Sequence, residues 1–404
     1  MEKNMDIVEK KFLGIIQEIH KSPSRIVLSI TGGGSGAIDK ILRYGGGSAT
    51  LLEALVPYDK NALTDFIGRE PGNYCSEETA REMAMASFER ALKINHKEKG
   101  TDTRNIIGIG VTCKLVTSDN EREGRKHEVY FASQSFLQTT STRLTLLKKR
   151  TREEEEDITS LFVIYRIAQL CNVDVENTFI PPSLIPELNE ADTKTAEVNP
   201  DIGNLLVNTL LKGEKAEKHS INISSPLKDK SSQPRMIFAG SFNPCHKNHI
   251  EIARTAFRIS RFPVCLEISL ANVDKPPIDF ISLEYRLNSL EKYMSEDFIG
   301  DIYITNAPFF AEKATLFPDC CFLIGADTLN RTFNEKYYRR GETKKSLLEH
   351  FKSLKVQFLV FQRKNVEFTL DKDIQDTFKV IELSKYKDDG TSSSQIRKEK
   401  NKLP

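Results

Sequence analysis

Met236-Ile-Phe-Ala-Gly-Ser-Phe-Asn-Pro-Cys-His-Lys-Asn-His249 is the stretch that decides how the chain is read. Its apolar run stops at Gly240 and gives way to two histidines three residues apart. After His249 the apolar residues Ile250, Ile252, Ala253, Ala256 and Phe257 recur at helical steps, so the spacing predicts strand, tight loop, helix. The histidines then sit at a helix N-terminus, where unpaired amides and the positive end of the helix dipole favour an anion. Two imidazoles add hydrogen bonds or charge there. A metal pair is the first rival, but His-x-x-His lacks the further Cys, His or carboxylate ligands at helical spacing that a zinc site shows. Two plain surface histidines at a helix cap are the second.

Other stretches bear on that choice. Thr391-Ser-Ser-Ser-Gln-Ile-Arg397 is a hydroxyl run with a guanidinium three residues after Ser394, which suits another helix cap aimed at phosphate. Cys320-Cys-Phe-Leu-Ile-Gly-Ala-Asp327 is a buried-strand pattern ending in glycine and a carboxylate. Gly240-Ser-Phe-Asn-Pro-x-His-x-x-His249, Gly325-Ala-Asp327 and Ser392-Ser-Ser-x-Ile-Arg397 together resemble the nucleotidylyltransferase superfamily with the His-x-Gly-His signature, most of all its nicotinamide or nicotinate mononucleotide adenylyltransferases. One position departs: Asn248 stands where that family has glycine. Glycine lets backbone approach phosphate closely, so the tightness of that contact is in question.

The chain is 404 residues long, more than one ordinary domain, and predicts two, each with its own core. Lys plus Arg number 58 against 57 Asp plus Glu, and a chain so near neutrality with no basic stripe argues against nucleic acid as the main partner. No apolar run reaches the length of a membrane span, and the start, Met1-Glu-Lys-Asn, lacks the apolar core of a signal peptide. Seven scattered cysteines suit reduced thiols in the cytoplasm or nucleus. Association of the chain with further copies of itself stays open.

In the amino-terminal half, Val8, Phe12, Ile15, Ile16 and Ile19 mark an amphipathic helix. Arg25-Ile-Val-Leu-Ser-Ile-Thr-Gly-Gly-Gly-Ser-Gly36 runs from a strand into a glycine loop, which suits either a phosphate cradle or a tight strand-to-helix turn. Thr151 with Glu154 forms a capping box, and Glu153 to Asp157 lie where acids complement a helix start. Ser29-x-Thr31-Gly32-Gly33, Gly47-Ser48, Tyr58, Ser76-Glu77-x-x-Ala80 and Gly108-x-Gly110 resemble the C-terminal domain of the CinA family, whose bacterial members include nicotinamide mononucleotide amidases. The resemblance implies a pocket around Ser29, Thr31, Gly32, Gly33 and Tyr58. The family's glutamate before the serine is Leu28, however, and its lysine five residues after the tyrosine is Leu63. Leucine can neither take a hydroxyl proton nor hold an oxyanion, so the pocket is expected to be vestigial.

Expected domains are residues 1–180, a CinA C-terminal-like α/β/α domain; 181–234, a polar linker; and 235–404, a Rossmann-like nucleotidylyltransferase domain with a parallel sheet. Alternating strands and helices from Met236 onward place the ligand crevice at the carboxyl ends of the strands. The expected nucleotide site is Gly240, Ser241, Phe242, Asn243, Gly325, Ala326 and Asp327, with His246 on the α- or β-phosphate and His249 on the phosphate under attack. Ser393, Ser394 and Arg397 would hold the leaving pyrophosphate. Lys275 either reaches a phosphate or is solvated, and Arg286 is expected to position rather than react. The substrates implied are ATP and a mononucleotide, with Mg²⁺ carried by the triphosphate and no metal bound by the protein alone. Phosphopantetheine as acceptor, CTP as donor, and a catalytically silent binding or scaffold protein remain open.

Overall fold

A computed structural model describes residues 2–95, 102–117, 124–147, 149–175, 180–211, 216–221, 235–272, 276–338, 341–361, 374, 380–382, 393 and 396. The chain forms two compact units, Met1–Leu211 with Lys275–Ile281, and Lys212–Asp274 with Ser282–Pro404. Both are α/β.

The first unit holds β1 (Arg25–Thr31), β2 (Leu51–Leu55), β3 (Ile106–Lys114), β4 (Glu128–Gln134), β5 (Gln138–Thr145) and β6 (Asp192–Glu197). They form one sheet in the order β2-β1-β3-β4-β5-β6, parallel among the first three and antiparallel beyond. Around it lie α1 (Glu2–Lys21), α2 (Gly36–Arg43), α3 (Lys60–Ile67), α4 (Glu77–Asn95), α5 (Arg152–Leu170), α6 (Ile185–Asn189) and α7 (Pro200–Leu210). The apolar stripe of α1 delivers Phe12, Ile15, Ile16 and Ile19 to a core shared with Leu28, Phe131, Phe162 and Ile167. Gly108 and Gly110 let α4 lie directly on β3: a Cβ at either would stand 2.1 Å from Phe88 N or 2.3 Å from Ala80 O. These glycines serve packing.

Two strands of this sheet escape a reading by apolar alternation. β5, Gln-Thr-Thr-Ser-Thr-Arg-Leu-Thr, buries Thr139 to Thr142, and most of these hydroxyls are paired: Thr139 donates to Gln134 Oε1 at 2.5 Å, Ser133 pairs with Thr140 at 2.6 Å and Thr142 with Thr193 at 3.0 Å. β6 pairs with β5 although it reads Asp-Thr-Lys-Thr-Ala-Glu and is mostly exposed. The polar segment expected to be a linker therefore contributes α6, β6 and α7 to the first unit, and β7 (Lys218–Ile221) to the second. An edge strand needs one buried face at most, so its polarity carried no signal. Helix α7 buries Ile202, Leu205, Leu206 and Leu210, and Asn199 caps it by accepting from Ile202 N–H at 3.0 Å.

The second unit adds β8 (Met236–Ala239), β9 (Val264–Ser269), β10 (Ile299–Thr305), β11 (Cys321–Gly325), β12 (Gln357–Phe361) and β13 (Val380–Glu382). Their order is β13-β12-β11-β8-β9-β10-β7, all parallel except the edge strand β7. The helices are α8 (Lys247–Ser260), α9 (Phe280–Glu291), α10 (Phe310–Leu316), α11 (Ala326–Thr332) and α12 (Lys344–Ser353). Strands such as β9 and β11 are buried almost throughout, as a sheet covered on both faces requires. The parallel part of this sheet starts at its middle: β8 sits between β9 and β11, so the order reverses there. That is the topological switch point, where loops at the strands' carboxyl ends part and leave a crevice.

Candidate functional site

The loop after β8 and the start of α11 after β11 flank this switch point, which brings Gly240 to His249 and Gly325 to Asp327 to the carboxyl ends of adjacent strands. Gly240 N–H donates to Glu267 O at 3.0 Å, tying the loop's first residue to β9. A side chain at 240 would collide with the ring of Phe242, 2.8 Å from a built Cβ, so Gly240 makes room for a residue two positions on. Phe242 is itself fully buried at φ +42, and the Asn243–Pro244 peptide is cis. Its ring meets Phe238 edge-on at 5.4 Å and His249 at 5.2 Å.

His246 is the N-cap of α8, extended at φ −140 and ψ 172, and its backbone N–H donates to Nδ1 of His249 at 3.2 Å. A neutral His249 with Nδ1 accepting carries its proton on Nε2, so it presents a donor from its other edge. The two imidazoles lie with centroids 3.8 Å apart and planes tilted by 37°. The first turn of α8 contains no acidic residue, so no carboxylate in that turn answers the positive end of the helix dipole.

Three side chains distant in sequence hold the loop. Arg286 Nη1 donates to Ser241 O at 3.1 Å, Ser289 Oγ accepts from Cys245 N–H at 2.8 Å, and Ser393 Oγ donates to Pro244 O at 3.0 Å. Ser393 is thus brought beside the histidine motif, with its proton engaged in holding the loop. Ser394, Arg397 and Lys275 lie outside the described residues. Of Asp327 only the backbone is described, as the second residue of α11, next to fully buried Ala326 and the N-cap Gly325. Asn243 is half-buried and Ser241 exposed.

Asn248 is the second residue of α8 and is not in the left-handed region, so the position makes no demand on glycine's backbone freedom. Its side chain is only 6% exposed, packed into the protein rather than standing in an open crevice. Covalent catalysis by the neighbouring thiol is disfavoured, because burial pushes the Cys245 pKa up to about 12 and keeps the sulfur protonated. The chemistry that remains is that of amides, imidazoles and hydroxyls. Among the described residues no group of three or more His, Cys, Asp and Glu is placed to hold a metal ion.

The amino-terminal pocket residues are placed differently. Ser29 is fully buried in β1, its hydroxyl donating to Ile109 O at 3.0 Å and accepting from Ser87 Oγ at 2.9 Å. Leu28 and Leu63 are core residues. Tyr58 is 72% exposed, and the nearby Lys60 ammonium lies over the Tyr74 ring at 5.7 Å. Gly32, at φ +81, passes against β3 so closely that a Cβ would sit 2.2 Å from Cys113 O. Buried Thr31 ends the strand, and Gly33 packs on Leu115. The glycine loop already carries an anion: Glu156 of α5 accepts from Gly34 N–H at 2.8 Å and from Ser35 Oγ at 3.1 Å. Arg152 Nη2 closes the arrangement on Gly32 O at 2.8 Å. The acid run on α5 does cap its helix, through Thr151 and Glu154, but it also buries Glu155 against His127 Nδ1 at 2.5 Å and Val116 N–H at 2.6 Å.

Residues 237–399 match the cytidylyltransferase-like family model, which supports a nucleotidyltransferase in that part of the chain. Solved structures similar to the chain include a competence-damaged protein (CinA) superfamily protein from Escherichia coli, 15% identical, covering 40% of this chain and 88% of that one with a TM-score of 0.29. The competence or damage-inducible protein from Enterobacter asburiae is 15% identical over 40% of this chain and 96% of its own, with a TM-score of 0.30. CihA from Agrobacterium tumefaciens is 13% identical over 40% and 92%, at 0.29. No curated protein matches the chain. No helix among the described residues is long and apolar enough to cross a membrane.

Proposed function

We propose that the second unit transfers an adenylyl group from ATP to nicotinamide or nicotinate mononucleotide. The observation that carries the transfer is the pair His246 and His249 at the N-terminus of α8, beside the switch point, in a loop held by Arg286, Ser289 and Ser393. A phosphate oxygen of the mononucleotide attacks the α-phosphorus, the bond to the β-phosphate oxygen breaks, and pyrophosphate leaves as the new phosphoanhydride forms. The protein aligns two anions and stabilises charge growing on the bridging and leaving oxygens. In this reading His246 and the α8 amides hold the triphosphate, His249 donates from Nε2 to the phosphate under attack, and Ser394 and Arg397 hold the pyrophosphate. Gly325 to Asp327 line the nucleotide, and Lys275 adds a cation. Mg²⁺ enters with the triphosphate, bound by phosphate oxygens and water.

The preference for a pyridine mononucleotide rests on the two sequence resemblances, and the cytidylyltransferase-like match keeps CTP in the comparison. The purified full chain is incubated with Mg²⁺, ATP or CTP, and a panel of phosphate acceptors while pyrophosphate is followed. Release with one acceptor supports the transferase and names its substrate. Ligand-dependent thermal stabilisation without release in any mixture selects a silent nucleotide-binding protein instead, the reading that Asn248, Leu28 and Leu63 together motivate. The full chain is the material of choice, since Lys275–Ile281 is counted with the first unit, where Asp279 lies 3.3 Å from Arg81 and Phe280 N–H donates to Thr139 Oγ1 at 3.0 Å. The first unit is assigned no hydrolysis: the chain should release no ammonia from nicotinamide mononucleotide, and release abolished by Ser29→Ala would refute this.

A further inference from the structure

The peptide that precedes His246 is held by a residue outside every motif of the sequence. Ser289 lies on α9, accepts the Cys245 N–H at 2.8 Å, and sends its own proton to Arg286 O one turn back at 2.7 Å. With the proton committed to its own helix, the Ser289 oxygen turns a lone pair to the loop, and its rotamer is fixed by both partners. Arg286, three residues earlier on the same helix, holds the other end of the loop at Ser241 O, 3.1 Å away. One helix therefore grips the loop at its start and at its end. The next amide after Cys245 is that of His246, which donates to Nδ1 of His249 at 3.2 Å. A shift of the 245–246 backbone thus moves the His246 ring, and with it the hydrogen bond that orients His249.

We propose that Ser289 is a positioning residue of the phosphate site, setting both imidazoles by fixing the peptide in front of them. The proposal rests on the reading of this loop as a phosphate-transfer site. Cys245 is buried, so loss of the acceptor leaves its N–H unsatisfied unless the loop moves. The effect should fall on the transition state, which carries the most charge, more than on substrate binding.

The test compares Ser289→Ala and Ser289→Thr in the full chain. Ser289→Ala should lower kcat about tenfold with KM for the triphosphate within about twofold, and Ser289→Thr, which keeps the hydroxyl, should restore most of kcat. Independently of turnover, the ¹⁵N resonances of the His249 ring report which nitrogen accepts. They should change in Ser289→Ala and return in Ser289→Thr. Unchanged kcat and unchanged ring resonances in a folded Ser289→Ala would overturn the proposal. Equal losses in both variants would also overturn it, since the hydroxyl would then not be the cause. A wild-type chain that transfers nothing to any acceptor refutes the transferase reading instead, and the ring resonances then decide the positioning role alone.

Discussion

The glycine loop of the first unit and the histidine loop of the second occupy equivalent places, each running from the first strand of a parallel group into a helix. The first fills its anion position from within: the Glu156 carboxylate accepts from Gly34 N–H and Ser35 Oγ. The second has no acidic residue in the first turn of its helix and sets two imidazoles there. Nor does Ser29, on the strand before the first loop, offer chemistry, since it is fully buried and bonded on both sides. A glycine-rich turn at a helix start is thus an anion site only in kind, and the side chains that reach it decide whether the anion belongs to the chain or to a ligand.

The largest effect that tests this contrast is expected at the histidines. His246→Ala and His249→Ala should each lower turnover by roughly 10²-fold or more, the usual scale for one preorganised donor to a developing charge. Steady-state pyrophosphate release measures it, and unchanged rates in both variants would sink the assignment of the site.

A second test removes the internal anion. Glu156→Ala should destabilise the first unit by about 2 kcal/mol, because a partly buried amide and a hydroxyl lose a charged acceptor together. Glu156→Gln, which keeps one acceptor oxygen, should cost about half as much. Urea unfolding of both variants reads the difference. A loss below about 0.5 kcal/mol in Glu156→Ala would mean that the carboxylate does not hold this loop, and the contrast between the loops would lapse.

These two loops also show what could be read from residue order. The doubly wound sheet was legible because each of its inner strands is a short apolar run followed by a helical period, and the motifs fell where such a sheet opens. Burial on both faces writes itself into composition. The polar strands β5, β6 and β7 did not, since β5 pairs most of its buried hydroxyls and the other two lie at sheet edges. Of the candidate site, the residue order shows the local parts: Gly240, His246, His249 and the arginine on α9. Its supports were not, because nothing in the residue order links Glu156 to Gly34. Ser289 left a faint trace, three residues after Arg286 and hence on the same face of the helix. Tertiary hydrogen bonds across such distances have no periodicity to announce them.

The smallest effect is expected at Asn248, where the sequence departs from the glycine of the superfamily it resembles. That departure matters if a side chain there holds phosphate away from the loop. Residue 248 lies in the first turn of a right-handed helix and is absent from the positive-φ residues, so the position makes no demand on glycine's backbone. The steric reason loses force because the side chain is packed, at 6% exposure, and so does not fill a solvent-open crevice where the anion would lie. Asn248→Gly then removes a packed side chain from a helix and adds backbone freedom to the unfolded chain, at a cost of about 1 kcal/mol. The rate should stay within roughly threefold of wild type, equivalent to about 0.6 kcal/mol in barrier. Turnover and melting temperature measured on one preparation separate the two effects. A tenfold gain in turnover would show that the asparagine does obstruct phosphate, and a tenfold loss would show that its amide is itself a contact to the anion.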